Sequence, residues 1–323
     1  MSKVGLIVST LNAGDDWTNW LMVLAQQTRR PDRLLLIDSS SSDNTVCLAR
    51  EQGFEIRVIK QSAFNHGGTR QWGVDLLNDM DIIIFQTQDA VLADSQAIEK
   101  LLMAFDDRSV SIAYGRWLPY QNADAIATHA ILYHYPPDSQ IRGLVDRDVY
   151  GIKSVFISNS FAAYRRDALM QVGGFPTNTI MNEATFVAGL MLKTGRKIAY
   201  QAEAQVFHSH QLGFWDEFKR YFDLGVFHAD TPWLQQNFGV GIGEGGQYVL
   251  SELFYLLKFA PGLIPSAFIR AGLKSLGYQL GSSHHRMPQT LKRYLSKNKA
   301  YWVEIPSQRH LYSNAVVELG QVD

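Results

Sequence analysis

A glycine pair set between a histidine and an arginine, His66-Gly67-Gly68-Thr69-Arg70, opens a helical pattern in this chain. Such a turn at a helix start suits an anion, because free backbone N–H groups and the positive end of the helix dipole meet there. A second segment, Gln86-Thr87-Gln88-Asp89-Ala90, ends the apolar run Asp81-Ile82-Ile83-Ile84-Phe85 on a polar corner carrying one carboxylate. A carboxylate at the C-terminal end of a strand suits a hard cation. Together the two segments point to a metal-bound diphosphate.

Those segments need elements that bring them together. Three short apolar runs bounded by polar turns occur early, at Val4 to Val8, Arg33 to Ile37 and Ile82 to Phe85. Helical patterns separate them at about Trp17 to Gln27 and Ser42 to Gln52, and a weaker strand, Glu55 to Ile59, leads into the glycine pair. Strands of this length alternating with helices predict an α/β fold whose parallel sheet is covered on both faces. Ligand sites in such sheets lie beyond the C-terminal strand ends. Thr10-Leu11-Asn12, Asp38 to Asp43 and Gln86 to Asp89 all sit at such ends, so three polar groups are expected around one crevice.

The middle of the chain is more mixed. Ser154 to Ile157 and Phe161 to Tyr164 read as strands, Gly173-Gly174-Phe175-Pro176 as a turn, and Asn182 to Lys193 as a helix with Glu183 in its first turn. Ile198 to Tyr200 and Ala204 to Phe207 are short strand candidates ending at His208-Ser209-His210. Beyond about Gly239 the composition shifts to a glycine-rich stretch and then amphipathic, basic helical patterns. Between Leu250 and Ala300 the only carboxylate is Glu252.

Composition narrows the classes. A hydrophobic content of 46% supports a sizeable core and argues against extended disorder. The net charge of −1 gives no global field for nucleic acid. A single cysteine, Cys47, rules out an internal disulfide framework and fits a reducing compartment. No apolar run is long enough to span a bilayer. The expectation is a soluble cytoplasmic protein.

In collinear order along nearly the whole chain, these segments resemble the inverting GT-A glycosyltransferases of family 2, specifically their bacterial rhamnosyltransferase branch. The matching pieces include Val8 to Asn12, Ile37 to Ser41, Phe64 to Arg70, Gln88-Asp89-Ala90, Ser158-Asn159-Ser160, Gly173 to Pro176, His208 to His210 and Arg220 to His228. The resemblance implies a GT-A catalytic domain over residues 1–240 with a helical C-terminal region over 241–323. It implies a nucleotide-diphosphate sugar donor, foremost dTDP-L-rhamnose, and a saccharide or polyprenyl-diphosphate-linked glycan acceptor in cell-surface polysaccharide synthesis of the O-antigen or capsule type.

Residue by residue, the resemblance implies that Asp38 accepts an N–H of the pyrimidine base. By the strand-end rule Thr10 and Asn12 join the donor site, as do Gln88, His66, Gly67, Gly68 and Arg70, the last as a cation for the phosphates. Asp89 matches the second acid of the family's Asp-x-Asp metal motif, with Thr87 at the first. One carboxylate suffices for Mg²⁺ or Mn²⁺ only if waters, phosphate oxygens or histidine complete the shell. His208 and His210, two apart on an extended strand, face the same way and are the expected further metal ligands. An inverting transfer also needs a base for the acceptor hydroxyl. The family pattern there is Glu-Asp; this chain reads Glu183-Ala184, which makes Glu183 the candidate.

Two readings remain open beside this one. A UDP-sugar donor would present the same base N–H to Asp38. Thr87 and Ala184 would also suit a non-catalytic sugar-nucleotide-binding subunit of an assembly complex. The basic tail, with Leu250, Leu253, Phe254, Leu257 and Phe259 on one side, suits the cytoplasmic face of the inner membrane. Docking on the catalytic domain or on a second copy of the chain is the alternative.

Overall fold

A computed structural model describes residues 2–209, 212–239 and 244–303. Nine strands form one mixed sheet: β1 (Val4–Thr10), β2 (Arg33–Asp38), β3 (Glu55–Val58), β4 (Ile82–Thr87), β5 (Val91–Leu92), β6 (Val110–Leu118), β7 (Gln140–Arg142), β8 (Phe161–Arg165) and β9 (Lys197–Phe207). The order is β3-β2-β1-β4-β8-β6-β9-β5, with β7 beside β9. The half β3-β2-β1-β4 is parallel throughout, so the ends of β1, β2 and β4 open on one edge as the sequence predicts. Beyond β4 the antiparallel β8 reverses the direction.

Period-two alternation explains how the sheet is covered on both faces. Ile7, Leu35, Ile37, Ile83 and Phe85 pack in one apolar cluster. Their strand neighbours Leu6, Val8, Leu36, Ile82 and Ile84 pack in the other, with Trp17 and Trp20. The first cluster is covered in part by α3 (His66–Leu76) and by a buried helix, Glu183–Lys193; the second by α1 (Asp16–Ala25) and by Ala97–Leu102, while the short α2 (Thr45–Glu51) follows β2. Numbering on through α4 (Ala97–Leu102), α5 (Ala125–His134), α6 (Arg147–Tyr150) and α7 (Arg166–Gln171), the buried helix is α8.

Two expectations for the middle of the chain change. Ser154 to Ile157 is not a strand: Gly151–Val155 is a 3-10 turn. Its carbonyl region is satisfied differently, since the buried Arg142 guanidinium donates to the carbonyls of Lys153 and Phe156. The two short strands expected near Ile198 and Ala204 are one strand, β9, whose register against β6 shifts between Gly115 and Arg116.

The C-terminal part is helical: α9 (Phe214–Asp230), α10 (Pro232–Phe238), α11 (Glu244–Phe259), α12 (Ile264–Ser282) and α13 (Gln289–Leu295). Helix α12 lies directly on α9. Glycines permit that approach: a Cβ on Gly281 would stand 2.0 Å from the Phe222 carbonyl oxygen, and one on Gly277 2.5 Å from that of Phe218. Arg270 and Lys274, counted with the basic surface from sequence, point inward and pair with Glu217 at 2.8 and 3.6 Å. Glu252, the one carboxylate between Leu250 and Ala300, is buried and accepts from the Tyr248 hydroxyl at 3.0 Å. Among the described residues no helix is long and apolar enough to cross a membrane.

Candidate active site

The ends of β1, β2 and β4 are tied to one another by side chains. Thr10 donates to Asp38 Oδ1 at 2.8 Å, and the Ser41 N–H donates to Asp38 Oδ2 at 2.7 Å. Asp38 is 1% exposed, so this carboxylate stays hydrogen-bonded within the fold and retains lone-pair capacity for one more donor. Asn12 adopts a left-handed φ of 46°, which asparagine tolerates. Its side-chain oxygen accepts from Ser42 N–H at 2.8 Å. Gln88 clamps the Leu11 main chain, accepting from its N–H at 2.8 Å and donating to its carbonyl at 3.1 Å. Asn12 and Gln88 therefore shape the crevice by bracing its loops. The Asn12 side-chain oxygen and both polar ends of Gln88 are engaged by protein.

The glycine pair starts α3 as expected. Asn65 caps the helix, its Oδ1 accepting the Gly68 N–H at 2.8 Å. His66 keeps an exposed face, its ring edge-on to Phe64 at 4.9 Å. Gly67 is buried against the turn before α8: a Cβ there would sit 1.8 Å from the Pro176 carbonyl oxygen and 3.6 Å from Glu183 Cβ. That contact is with backbone, which cannot swing away. Gly67→Ala is expected to cost about 1–3 kcal/mol or more through overpacking, read as a lower thermal midpoint, whereas Gly68→Ala, facing the Asn65 and Thr177 side chains at 3.3–3.4 Å, is expected to cost less.

Arg70 does not extend to solvent. It forms a buried ion pair with Glu183, 113 residues on. Glu183 begins α8 directly after Asn182, whose φ of 58° turns the chain into the helix. Asn159 donates to Glu183 Oε1 at 3.2 Å and is itself held by the Tyr164 hydroxyl at 2.6 Å. Burial, the largest single influence, would raise the Glu183 carboxyl, but Arg70, His66, the helix N-terminal N–H and the Asn159 amide together outweigh it and hold the group below its ordinary range. Glu183 is ionised at neutral pH.

Sheet register brings the metal candidates together. Val91 pairs with Phe207, which sets Asp89, two residues before β5, beside His208, one residue after β9. His208 Nδ1 lies 3.6 Å from Asp89 Oδ1 and 3.2 Å from the Asp89 carbonyl oxygen. Burial pushes the imidazole down in pKa against the pull of Asp89, so the ring is neutral and able to ligate. Trp117 fixes it edge-on at 4.1 Å and is stacked in turn on Tyr135. His210 lies outside the described residues.

A divalent ion fits this corner. It offers a carboxylate and a neutral imidazole, leaving further positions for water and diphosphate oxygens, and Thr87, two residues before Asp89, has a buried hydroxyl with no partner among the described residues. The donor end and the acid end are joined by two consecutive residues. Asn159 holds Glu183, while Ser160 faces His208 Nε2 at 3.4 Å and accepts the Thr87 N–H on its carbonyl at 3.2 Å. Sequence reasoning had singled out Ser158-Asn159-Ser160 only within a family pattern. The bridging role belongs to contacts that local spacing does not encode.

Comparison with known proteins gives the family. The family model described as Glycosyl transferase family 2 matches residues 6–173. The chain is 47% identical over 304 residues to the O-antigen chain rhamnosyltransferase RfbN of Salmonella typhimurium, covering 94% of this chain and 97% of that protein. It is 44% identical over 306 residues to the O-antigen chain rhamnosyltransferase WbaN of Salmonella anatum, with the same coverages. Among solved structures, the mannosyltransferase PcManGT from Pyrobaculum calidifontis, in complex with GDP-Man and Mn²⁺, superposes with a TM-score of 0.53 at 15% identity over 99% of this chain and 87% of that one. Residues 1–349 of TarS from S. aureus, in complex with UDP-GlcNAc, give 0.51 at 12% identity over 88% and 91%. At those identities the likeness concerns fold alone. The chain belongs to glycosyl transferase family 2 and has the GT-A fold.

Proposed function

We propose that this glycosyltransferase moves L-rhamnose from dTDP-β-L-rhamnose to a saccharide hydroxyl of a lipid-linked O-antigen-type glycan, with inversion. The observation that carries the sugar assignment is similarity along 94% of the chain to two O-antigen rhamnosyltransferases. The site supports the chemistry. Asp38 receives the base N–H, the start of α3 faces the donor, and Asp89 with His208 holds a divalent cation. When bound, that cation neutralises charge developing on the departing diphosphate. As the acceptor oxygen bonds to the anomeric carbon, the bond from that carbon to the diphosphate oxygen breaks, and Glu183 takes the hydroxyl proton.

A donor panel tests the assignment. With acceptor-bearing membranes and Mg²⁺ or Mn²⁺, dTDP release from dTDP-rhamnose is expected to exceed UDP release from UDP-sugars by at least about 100-fold. That is about the discrimination an apolar pocket reaches against a ligand that differs by one methyl or hydroxyl group. Equal release would assign a UDP-sugar enzyme. Donor binding by calorimetry without any turnover would favour the non-catalytic subunit.

We further propose that α11 and α12 dock on the cytoplasmic face of the membrane. Leu250, Phe254 and Leu257 recur at four- and three-residue steps and are each more than half exposed; Phe268 and Ile269 of α12 are as open. Several large apolar side chains left this open on two adjacent helices suit an interaction site. The exposed Lys258, Arg286 and Arg293 suit anionic headgroups. Co-sedimentation with phosphatidylglycerol vesicles is expected, weakened by salt, and Phe254→Asp is expected to reduce it about tenfold or more, the equivalent of one buried aromatic side chain. Equal pelleting of wild type and variant would reject the membrane reading.

A further inference from the structure

A second cluster of metal-ligating groups lies in the helical region, on elements other than those that build the donor site. Asp230 ends α9, and His284 and His285 occupy the 3-10 turn that follows α12. Both imidazoles turn onto one carboxylate oxygen: His284 Nε2 is 3.0 Å and His285 Nε2 3.5 Å from Asp230 Oδ1. The two rings lie 3.9 Å apart. Consecutive side chains on a 3-10 turn project in directions about a third of a revolution apart, so their convergence on one oxygen asks for a cause.

Bond lengths of about 2.0–2.1 Å place the ligand atoms of a tetrahedral zinc ion roughly 3.3 Å from one another. The two observed nitrogen–oxygen separations bracket that value. The other carboxylate oxygen of Asp230 accepts the Tyr301 hydroxyl at 2.9 Å, an outer contact of the sort that orients a ligating carboxylate. His284 is buried and backed by Trp302, while His285 is exposed, so the position opposite the ring pair opens towards solvent. Two imidazoles and one carboxylate are a donor set for zinc rather than for magnesium.

We infer that Asp230, His284 and His285 form a zinc site, closed by water, that fastens the turn after α12 and the segment bearing Tyr301 to the end of α9. The ion would act on the helical region as a staple. It would take no part in transfer, because the donor and the acid groups are held by other elements.

Zinc binding to the EDTA-treated full chain tests this, with bound metal counted after desalting and thermal midpoints read with and without Zn²⁺. Because Asp89 and His208 also bind divalent ions, wild type and His285→Ala are compared both with Asp89 intact and in an Asp89→Ala background. In each background the chain with His285 is expected to hold one zinc equivalent more, at least about tenfold more tightly, a loss that even an outer partner can cause. Its midpoint is expected to rise with zinc, and that of His285→Ala is not. His285 is mostly exposed, so the fold is expected to survive its removal; Asp230→Asn checks the carboxylate. Equal zinc content with and without His285, in both backgrounds, would overturn the site and leave an ordinary histidine–aspartate hydrogen bond.

Discussion

Replacing Glu183 by glutamine is expected to lower kcat for transfer by about 10²–10⁴-fold while changing donor affinity little. That is the contribution of a positioned base. The substitution is nearly isosteric and keeps an oxygen for the Asn159 amide, but it removes the charge that Arg70 pairs with. Breaking one half of a buried pair costs about 3–5 kcal/mol, so a lower thermal midpoint is expected as well. Lost activity alone would therefore not identify a base. Calorimetry with dTDP-rhamnose on the folded variant separates the two effects: intact donor binding with lost turnover assigns the proton to Glu183. Normal turnover in a destabilised protein would make Glu183 the structural counter-ion of Arg70 and nothing more.

The electrostatics around Glu183 cut both ways. Arg70 keeps the carboxylate ionised, the state a base requires, yet lowers its affinity for the proton it must accept. Ala184, which stands where the family pattern has an aspartate, is buried in the core and has no group that takes a proton. Glu183 is thus the acid that α8 presents at its N-terminus, and the helix dipole stabilises its charge there too.

Much of this site could be read from the chain because strand ends are local features. An apolar run that stops on Thr10, Asp38 or Asp89 announces its own edge, and parallel order then gathers the three. Helix α8 and the glycine pair announced themselves through turn and cap residues. The Arg70–Glu183 pair did not, since it joins residues 113 apart through the approach of α3 to the turn at Pro176. That approach depends on a glycine whose importance is steric and three-dimensional. Strand β6 carries no clear alternation, because Ser111 is buried among its apolar residues and Gly115-Arg116 interrupt it. Ser154 to Ile157 misled for the opposite reason: β-branched and aromatic residues gave a strand pattern, while the buried Arg142 satisfied the carbonyls that a sheet neighbour would have taken.

Asp89→Ala is expected to reduce turnover at limiting Mn²⁺ by roughly 10²–10³-fold, the scale of losing one electrostatic stabiliser of a departing anion. The effect should exceed that usual for one member of an acid pair, because Thr87 stands where the family pattern has its first acid. Raising Mn²⁺ should restore part of the rate, since His208 and the donor diphosphate still contribute ligands. The pH response gives an independent check. Burial holds the His208 pKa below the ordinary histidine value of 6.5, so the ring is neutral through neutral pH and gains a proton only as pH falls below that value. Metal affinity should be level above pH 6.5 and decline on the acid side, approaching tenfold per unit once the ring is protonated, because ligation must then displace that proton. In His208→Ala that acid-side decline should flatten while the Asp89 dependence persists. A wild-type metal affinity that stayed constant well below pH 6.5 would remove His208 from the metal shell and leave Asp89 as its anchor.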